Sequence, residues 1–175
     1  MIAIVGESAS GKSTTEKVLC RDYGYKRIVS YTTRPQRFNE ADGVDYYFIT
    51  DEEFKRLLDA DFFAEQSTYR GCHYGISKED CTSGKVVVTN PHGLEQLNKI
   101  FPSLVTSFYL RVGKRKRLIR LVKRGDKILE CFRRIISDQK VFQNAAEECG
   151  HIIECGDMEP GTIAKLIHTK MGGLF

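Results

Sequence analysis

No two of the six cysteines, at positions 20, 72, 81, 131, 149 and 155, form a C-x-x-C pair, and no histidine stands at zinc-ligand spacing from a cysteine pair. That argues against a structural zinc site. No apolar run approaches the roughly 20 residues that span a bilayer. The opening Met1-Ile2-Ala3-Ile4-Val5 has no basic n-region, long apolar h-region or cleavage site. These absences point to a cytoplasmic protein with no membrane association and reduced thiols, each cysteine serving as a small buried hydrophobe. Repeats, low-complexity tracts and Pro/Gly/Ser linkers are also missing, so no boundary between independent domains is expected. Nor does one sign of charge dominate: 27 Lys and Arg against 23 Asp and Glu leave +4 with His neutral. That mild excess fits an anionic small molecule at least as well as nucleic acid.

What is present suffices for one domain of 175 residues, 41% hydrophobic and 29% charged. A chain of this length buries roughly 70% of its unfolded surface without metals or disulfides. Ile2 to Val5 reads as a buried strand and Ser13 to Leu19 as a helix; Val86 to Val88 and Val105 to Leu110 repeat the strand signal, and Ile152-Ile153 gives a weak one. Helices are expected over Gly93 to Ile100, Lys114 to Arg124 and Lys127 to Ala146. Alternating strands and helices imply an α/β fold whose parallel sheet is covered on both faces. Two stretches interrupt the alternation: residues 30 to about 80, rich in Tyr, Thr, Arg, Asp and Gly, and residues 114 to 140, dense in Lys and Arg. Both read as functional insertions on the core.

Between the first strand and helix, Gly6-Glu7-Ser8-Ala9-Ser10-Gly11-Lys12-Ser13 satisfies G-x-x-x-x-G-K-[ST]. Glycines there let successive backbone N–H groups surround phosphate oxygens, and the helix N-terminus adds its positive dipole. The loop through Thr14 is expected to hold ATP phosphates, with Lys12 on the β- and γ-phosphates and the Ser13 hydroxyl on Mg²⁺. A GTPase would add an N-K-x-D-like base reader, which is missing. An AAA-type ATPase would usually end a later strand with an acid, whereas Val86-Val87-Val88 is followed by Thr89-Asn90-Pro91. A small kinase with a separate acceptor site gains by elimination.

Residues 30 to 48 read Ser-Tyr-Thr-Thr-Arg-Pro-Gln-Arg-Phe-Asn-Glu-Ala-Asp-Gly-Val-Asp-Tyr-Tyr-Phe. This segment resembles that of the guanylate kinase family, roughly S-x-T-T-R-x-P-R-x-G-E-x-D-G-x-D-Y-x-F, without a gap. Phe63-Ala64-Glu65 and Gly71-Cys72-His73-Tyr74-Gly75 are similar to the family's F-x-E and G-x-x-Y-G elements. The resemblance implies a P-loop NTPase-type core at 1–29, 81–113 and 142–175, a monophosphate-binding insertion at 30–80 and a lid at 114–141. It implies Mg-ATP as donor and GMP or dGMP as acceptor, in a monomer or homodimer.

The side chains suit that chemistry independently. Arg34 and Arg37 carry permanent guanidinium forks for a phosphate dianion, and the Tyr46 and Tyr74 hydroxyls can donate to the same group. Glu65 can accept the paired N1–H and 2-amino donors of guanine, a pair that adenine lacks. By resemblance Ser30 also contacts the base, Ser77 stands in for the hydroxyl residue usual at Ile76, and Asp42 and Asp45 shape the segment. Tyr47, Phe48, Phe62 and Phe63 are expected to pack.

The pattern Arg120-Leu121-Val122-Lys123-Arg124-Gly125, with Arg133-Arg134, resembles the family's lid. Arginines delivered by closure would stabilise charge on the moving phosphoryl group, so Arg120, Arg124 and Arg134 join Lys12 and Arg34 as catalytic candidates. Lys114 to Arg117 are expected to form an exposed face. The chain departs from the family at Val88-Thr89-Asn90, where D-x-D is typical, at Asn39 in place of a glycine, at Pro35, and at Glu154-Cys155-Gly156. Three alternatives remain: another nucleotide or sugar phosphate acceptor, a non-catalytic guanylate-kinase-like binding module, and nucleic-acid binding through Lys114 to Arg124.

Overall fold

Four consecutive buried apolar residues, Ile2–Val5, form the first strand, β1, of the computed structural model, which describes residues 1–38, 40–69 and 71–173. The position of Asn39 therefore lies outside the described residues. The elements continue with α1 (Lys12–Tyr23), β2 (Lys26–Arg27), β3 (Tyr31–Thr32), β4 (Tyr47–Phe48), α2 (Asp51–Asp59), β5 (Phe63–Tyr69), β6 (Cys72–Ser77), β7 (Lys85–Thr89) and α3 (Pro91–Ile100). They end with β8 (Thr106–Arg111), α4 (Lys114–Lys123), α5 (Ile128–Val141), α6 (Ala145–Glu148), β9 (His151–Glu154) and α7 (Pro160–Lys170).

Strand β1 runs parallel to β7 on one side and to β8 on the other, and the five-stranded parallel sheet has the order β2-β7-β1-β8-β9. Its central strands are continuous apolar runs because helices cover both faces. Ile2 and Ile4 pack with Val18 and Leu19 of α1 and Ile163 and Ile167 of α7, while Ala3 and Val5 pack with Leu94 and Leu97 of α3 and Ala145 of α6. The chain leaves β1 between β7 and β8, where connections depart in opposite directions. The crevice beyond the strands' carboxyl ends is the place such sheets offer a ligand.

The expected α/β core is present, with two differences of detail. The helical pattern from Lys127 to Ala146 divides into α5 and the short α6, and α7 follows without having been expected. The insertion is more ordered than its composition suggested. A second sheet of order β4-β3-β6-β5 spans it, with antiparallel pairs around β6 and helix α2 between β4 and β5. Helix α2 begins at Thr50, whose side chain accepts from the Glu53 amide, and three acids follow in its first turn. The edge of β5 is tied to α3 by the Gln96 amide, which accepts from Gln66 N at 3.0 Å and donates to Gln66 O at 2.9 Å.

Phe62 and Phe63 pack edge-on against Tyr31, and Tyr47 lies beside the same ring, though Tyr47 stays exposed. Cys81, Cys131, Cys149 and Cys155 are buried, whereas Cys20 and Cys72 are only partly so. Among the described residues no helix is long and apolar enough to cross a membrane.

Candidate active site

The loop from Gly6 to Lys12 turns tightly, with Ala9 at φ 61° and Gly11 at φ 105°. Gly6 is required for space: a Cβ there would lie 2.7 Å from Ser10 Oγ and 3.0 Å from the Leu110 carbonyl. Lys12 Nζ donates to the carbonyls of Gly6 at 2.5 Å and Glu7 at 2.9 Å. Burial lowers its pKa to about 8, against the pull of Asp138 and Glu7. Ser10 Oγ and Thr15 Oγ1 are buried, with no hydrogen-bond partner among the described residues.

A cavity of about 690 Å³ lies over this loop, lined by Ser8 to Thr15, by Arg120, Arg124 and Arg134, and by Asp157 to Pro160. The exposed Ser13 hydroxyl faces it. One hydroxyl, with phosphate oxygens and water, is a donor set suited to Mg²⁺, which retains water and takes few protein oxygens. Among the described residues no cluster of three His, Cys, Asp or Glu could hold a metal by itself.

A second cavity of about 500 Å³ adjoins the first between the two sheets. It gathers Ser30, Arg34, Arg37, Tyr46, Glu65 and Tyr74 from the insertion, together with Val88, Thr89 and Asn90 from the end of β7. Ser8, Lys12 and Arg134 line both cavities.

The arginines of the insertion have a carboxylate partner that sequence reading missed. Arg34 Nη2 reaches Glu40 Oε1 and Oε2 at 2.8 and 2.9 Å, and the Arg37 backbone N–H donates to Glu40 Oε2 at 2.9 Å. Partial burial opposes ionisation of Glu40, but these hydrogen bonds hold its carboxyl below the usual range. The Arg34 guanidinium also lies 5.3 Å from the Tyr46 ring centroid. Tyr46 and Tyr74 stand with ring centroids 6.1 Å apart. Burial, and then the neighbouring Tyr74, raise the Tyr46 hydroxyl pKa.

Glu65 follows a bulge in β5, is 6% exposed, and has its pKa pushed up to about 7 by burial. Space for it depends on Gly93, where a Cβ would come within 2.6 Å of Glu65 Oε1 and 2.1 Å of Thr89 Oγ1. Asn90 supplies no charge; its Oδ1 accepts from Gly93 N at 2.9 Å and caps α3. Ser77, expected at the acceptor, does not line this cavity: it is 2% exposed and its hydroxyl donates to Asp80 Oδ2 at 2.7 Å.

From α4, Arg120 Nη1 donates to the Ala9 and Ser10 carbonyls at 3.2 and 3.3 Å. Arg124 pairs with Asp126, and Arg134 Nε lies 3.2 Å from Glu130 Oε1. The expected exposed face at Lys114 to Arg117 is overturned at Arg117, which is 1% exposed. Its guanidinium donates to the Val112 carbonyl at 3.1 Å and pairs with Asp138 at 3.1 Å and Glu7 at 3.4 Å. Asp138 in turn accepts from Ser8 N at 2.8 Å and Ser8 Oγ at 3.2 Å, binding α5 to the phosphate loop. A signal for Arg117 existed: 117, 120, 121 and 124 follow i, i+3, i+4, i+7 and share one helix face with buried Leu121.

A family profile described as guanylate kinase matches residues 1–149. A guanylate kinase of Schizosaccharomyces pombe is 44% identical over 78 residues, 43% of this chain and 39% of that relative. The chain thus spans well under half the length of that relative. A guanylate kinase of Caldanaerobacter subterraneus subsp. tengcongensis is 33% identical over 159 residues, 87% of this chain and 74% of the relative. Among solved structures, guanylate kinase from Anaplasma phagocytophilum superposes with a TM-score of 0.70 at 22% identity, covering 99% of this chain and 85% of that one.

Proposed function

The chain belongs to the guanylate kinase family, and on that premise we propose that it transfers the γ-phosphoryl group of ATP to GMP or dGMP, giving ADP and GDP or dGDP. The observation that carries the proposal is the pair of adjoining cavities that share Ser8, Lys12 and Arg134. A donor phosphate chain in one and an acceptor phosphate in the other would meet at the lysine.

An acceptor phosphate oxygen forms the new bond to the γ-phosphorus as the bond to the β–γ bridging oxygen breaks, and that electron pair leaves on ADP. The acceptor phosphate is already anionic at neutral pH, so no general base is needed. Catalysis is positioning and charge stabilisation. The loop N–H groups from Gly6 to Thr14 and Lys12 hold the donor phosphates, and Arg120, Arg124 and Arg134 stabilise charge on the transferring group. Arg34, Arg37, Tyr46 and Tyr74 hold the acceptor phosphate, with Arg34 exchanging Glu40 for it or sharing it. Glu65 reads guanine and Ser30 adds a contact to the base. Mg²⁺ on Ser13 would neutralise charge on the donor phosphates. In this reading 1–29, 81–113 and 142–175 act as the core, 30–80 as the acceptor insertion and 114–141 as the lid.

The absence of a carboxylate at Val88, Thr89 and Asn90 favours one alternative, another acceptor monophosphate in the same reaction. A coupled ADP-release assay over nucleoside and deoxynucleoside monophosphates separates the two. Turnover confined to guanine nucleotides is expected; equal rates with adenine and pyrimidine acceptors would overturn the role of Glu65. ATP turnover unaffected by Lys12→Ala would overturn the kinase itself.

A further inference from the structure

Arg27 belongs to none of the motifs above. It closes β2, beside Val86 of the central sheet, and its planar guanidinium faces two parts of the molecule. Nη1 donates to the Val44 carbonyl at 3.1 Å and Nη2 to the Asp45 carbonyl at 3.2 Å, while Nε lies 3.4 Å from Glu16 Oε2. Glu16 sits on α1, one helical turn after Lys12, and its side chain is 6% exposed. One side chain thus connects the helix that follows the phosphate loop to the loop that delivers Tyr46.

The segment 41–46 makes its own short-range bonds. Gly43 N donates to Tyr46 O at 2.8 Å, Asp45 N to Ala41 O at 2.9 Å, and Ala41 N to Asp45 Oδ2 at 2.8 Å. Such bonds give a loop its shape but leave its placement against the core to other contacts. Tyr47 N, donating to Ser30 O at 2.9 Å in the β3–β4 pairing, holds the end of the segment, and Arg27 fixes its middle from the core side, with a fork that a single ammonium cannot reproduce. A carboxylate buried on a helix face is unfavourable unless a cation meets it, and burial already pushes the pKa of Glu16 up to about 7 despite the nearby Arg27.

We propose that Arg27 is a positioning residue of the acceptor site: braced by Glu16, it fixes segment 41–46 against the core and so sets the Tyr46 hydroxyl on the acceptor phosphate. The second half rests on the proposed GMP kinase reading; the first does not. Neither Arg27 nor Glu16 touches the reacting atoms.

The test takes Arg27→Gln, Arg27→Lys and Glu16→Gln in the full chain and uses two readouts. Amide hydrogen exchange of the ligand-free protein reads the loop, and steady-state kinetics with GMP and ATP varied separately reads the site. Arg27→Gln should speed exchange at amides 43–47 on the order of tenfold, and raise KM for GMP by a similar factor. KM for ATP and kcat should change far less. Arg27→Lys recovers only part of the protection, because lysine cannot bridge both carbonyls and Glu16, and Glu16→Gln gives a smaller effect in the same direction. Unchanged exchange at 43–47 overturns the proposal, as does an equal rise in both KM values. Should Arg27→Gln fail to fold, the other two variants carry the same comparison. If the wild type turns over no GMP, the kinase reading fails, while the exchange result still decides whether Arg27 fixes the loop.

Discussion

Replacing Glu65 by glutamine sets stability against function at a single atom. Burial raises the Glu65 pKa from 4.5 to about 7, so ionising it in the folded, ligand-free chain costs roughly 3 kcal/mol. Below pH 4.5 the carboxyl is protonated in both folded and unfolded chains and there is no penalty. Between 4.5 and about 7 the unfolded chain ionises first, so stability falls as pH rises, and above about 7 the penalty is complete. Glutamine has the same shape and never ionises. Glu65→Gln should therefore raise Tm by several degrees at about pH 8.5, and the gain should vanish by about pH 4. Its effect on turnover runs the other way. The amide places a donor against the donors of guanine and forfeits the charge, so kcat/KM for GMP should fall roughly 10²–10³-fold. Thermal melts across pH, with and without saturating GMP, and initial rates on the same samples read both arms. A Tm difference independent of pH, or a variant with wild-type kcat/KM for GMP, would refute the reasoning.

Protonation should act on the native enzyme in the same way, with KM for GMP rising as pH falls below about 7 while KM for ATP holds level; initial-rate pH profiles report it. Gly93→Ala places a Cβ 2.1 Å from Thr89 Oγ1 and 2.6 Å from Glu65 Oε1. It should cost about 1–3 kcal/mol of stability and raise KM for GMP, as chemical denaturation and kinetics will measure. Arg117→Met leaves Glu7 and Asp138 facing each other without their shared cation. Destabilisation of about 3–5 kcal/mol is expected, and a melt equal to wild type would contradict the assigned ion pairs. Lys12→Ala should lower kcat at least about 10²-fold with the fold intact by circular dichroism.

The phosphate loop was legible because its eight residues are contiguous and its flanking strand and helix lie within the same short stretch. Arg34, Arg37, Tyr46, Glu65 and Tyr74 were legible through the resemblance of their segments to the guanylate kinase family, which their side-chain chemistry suits, and all five line one cavity. Three kinds of feature were hidden. Strands β2, β3 and β4 have two residues each, too few for a period-two pattern to register. Glu40 was quoted within the insertion yet carried no role, because its significance is that it fills the fork of Arg34. Arg117 read as one more cation in a basic run; its partners Glu7 and Asp138 lie 110 and 21 positions away, and only the folded chain brings them together. Ser77 failed for the opposite reason: the local match suggested a ligand contact, but the hydroxyl turns inward to Asp80.

The contacts joining α4 and α5 to the phosphate loop are polar: Asp138 to Ser8, Arg117 to Glu7, and Arg120 to two carbonyls. Dissolved salt reaches buried pairs weakly and exposed charges strongly. The attachment of α4 and α5 to the loop is therefore expected to persist as ionic strength rises, whereas exposed pairs such as Arg21–Asp22 weaken.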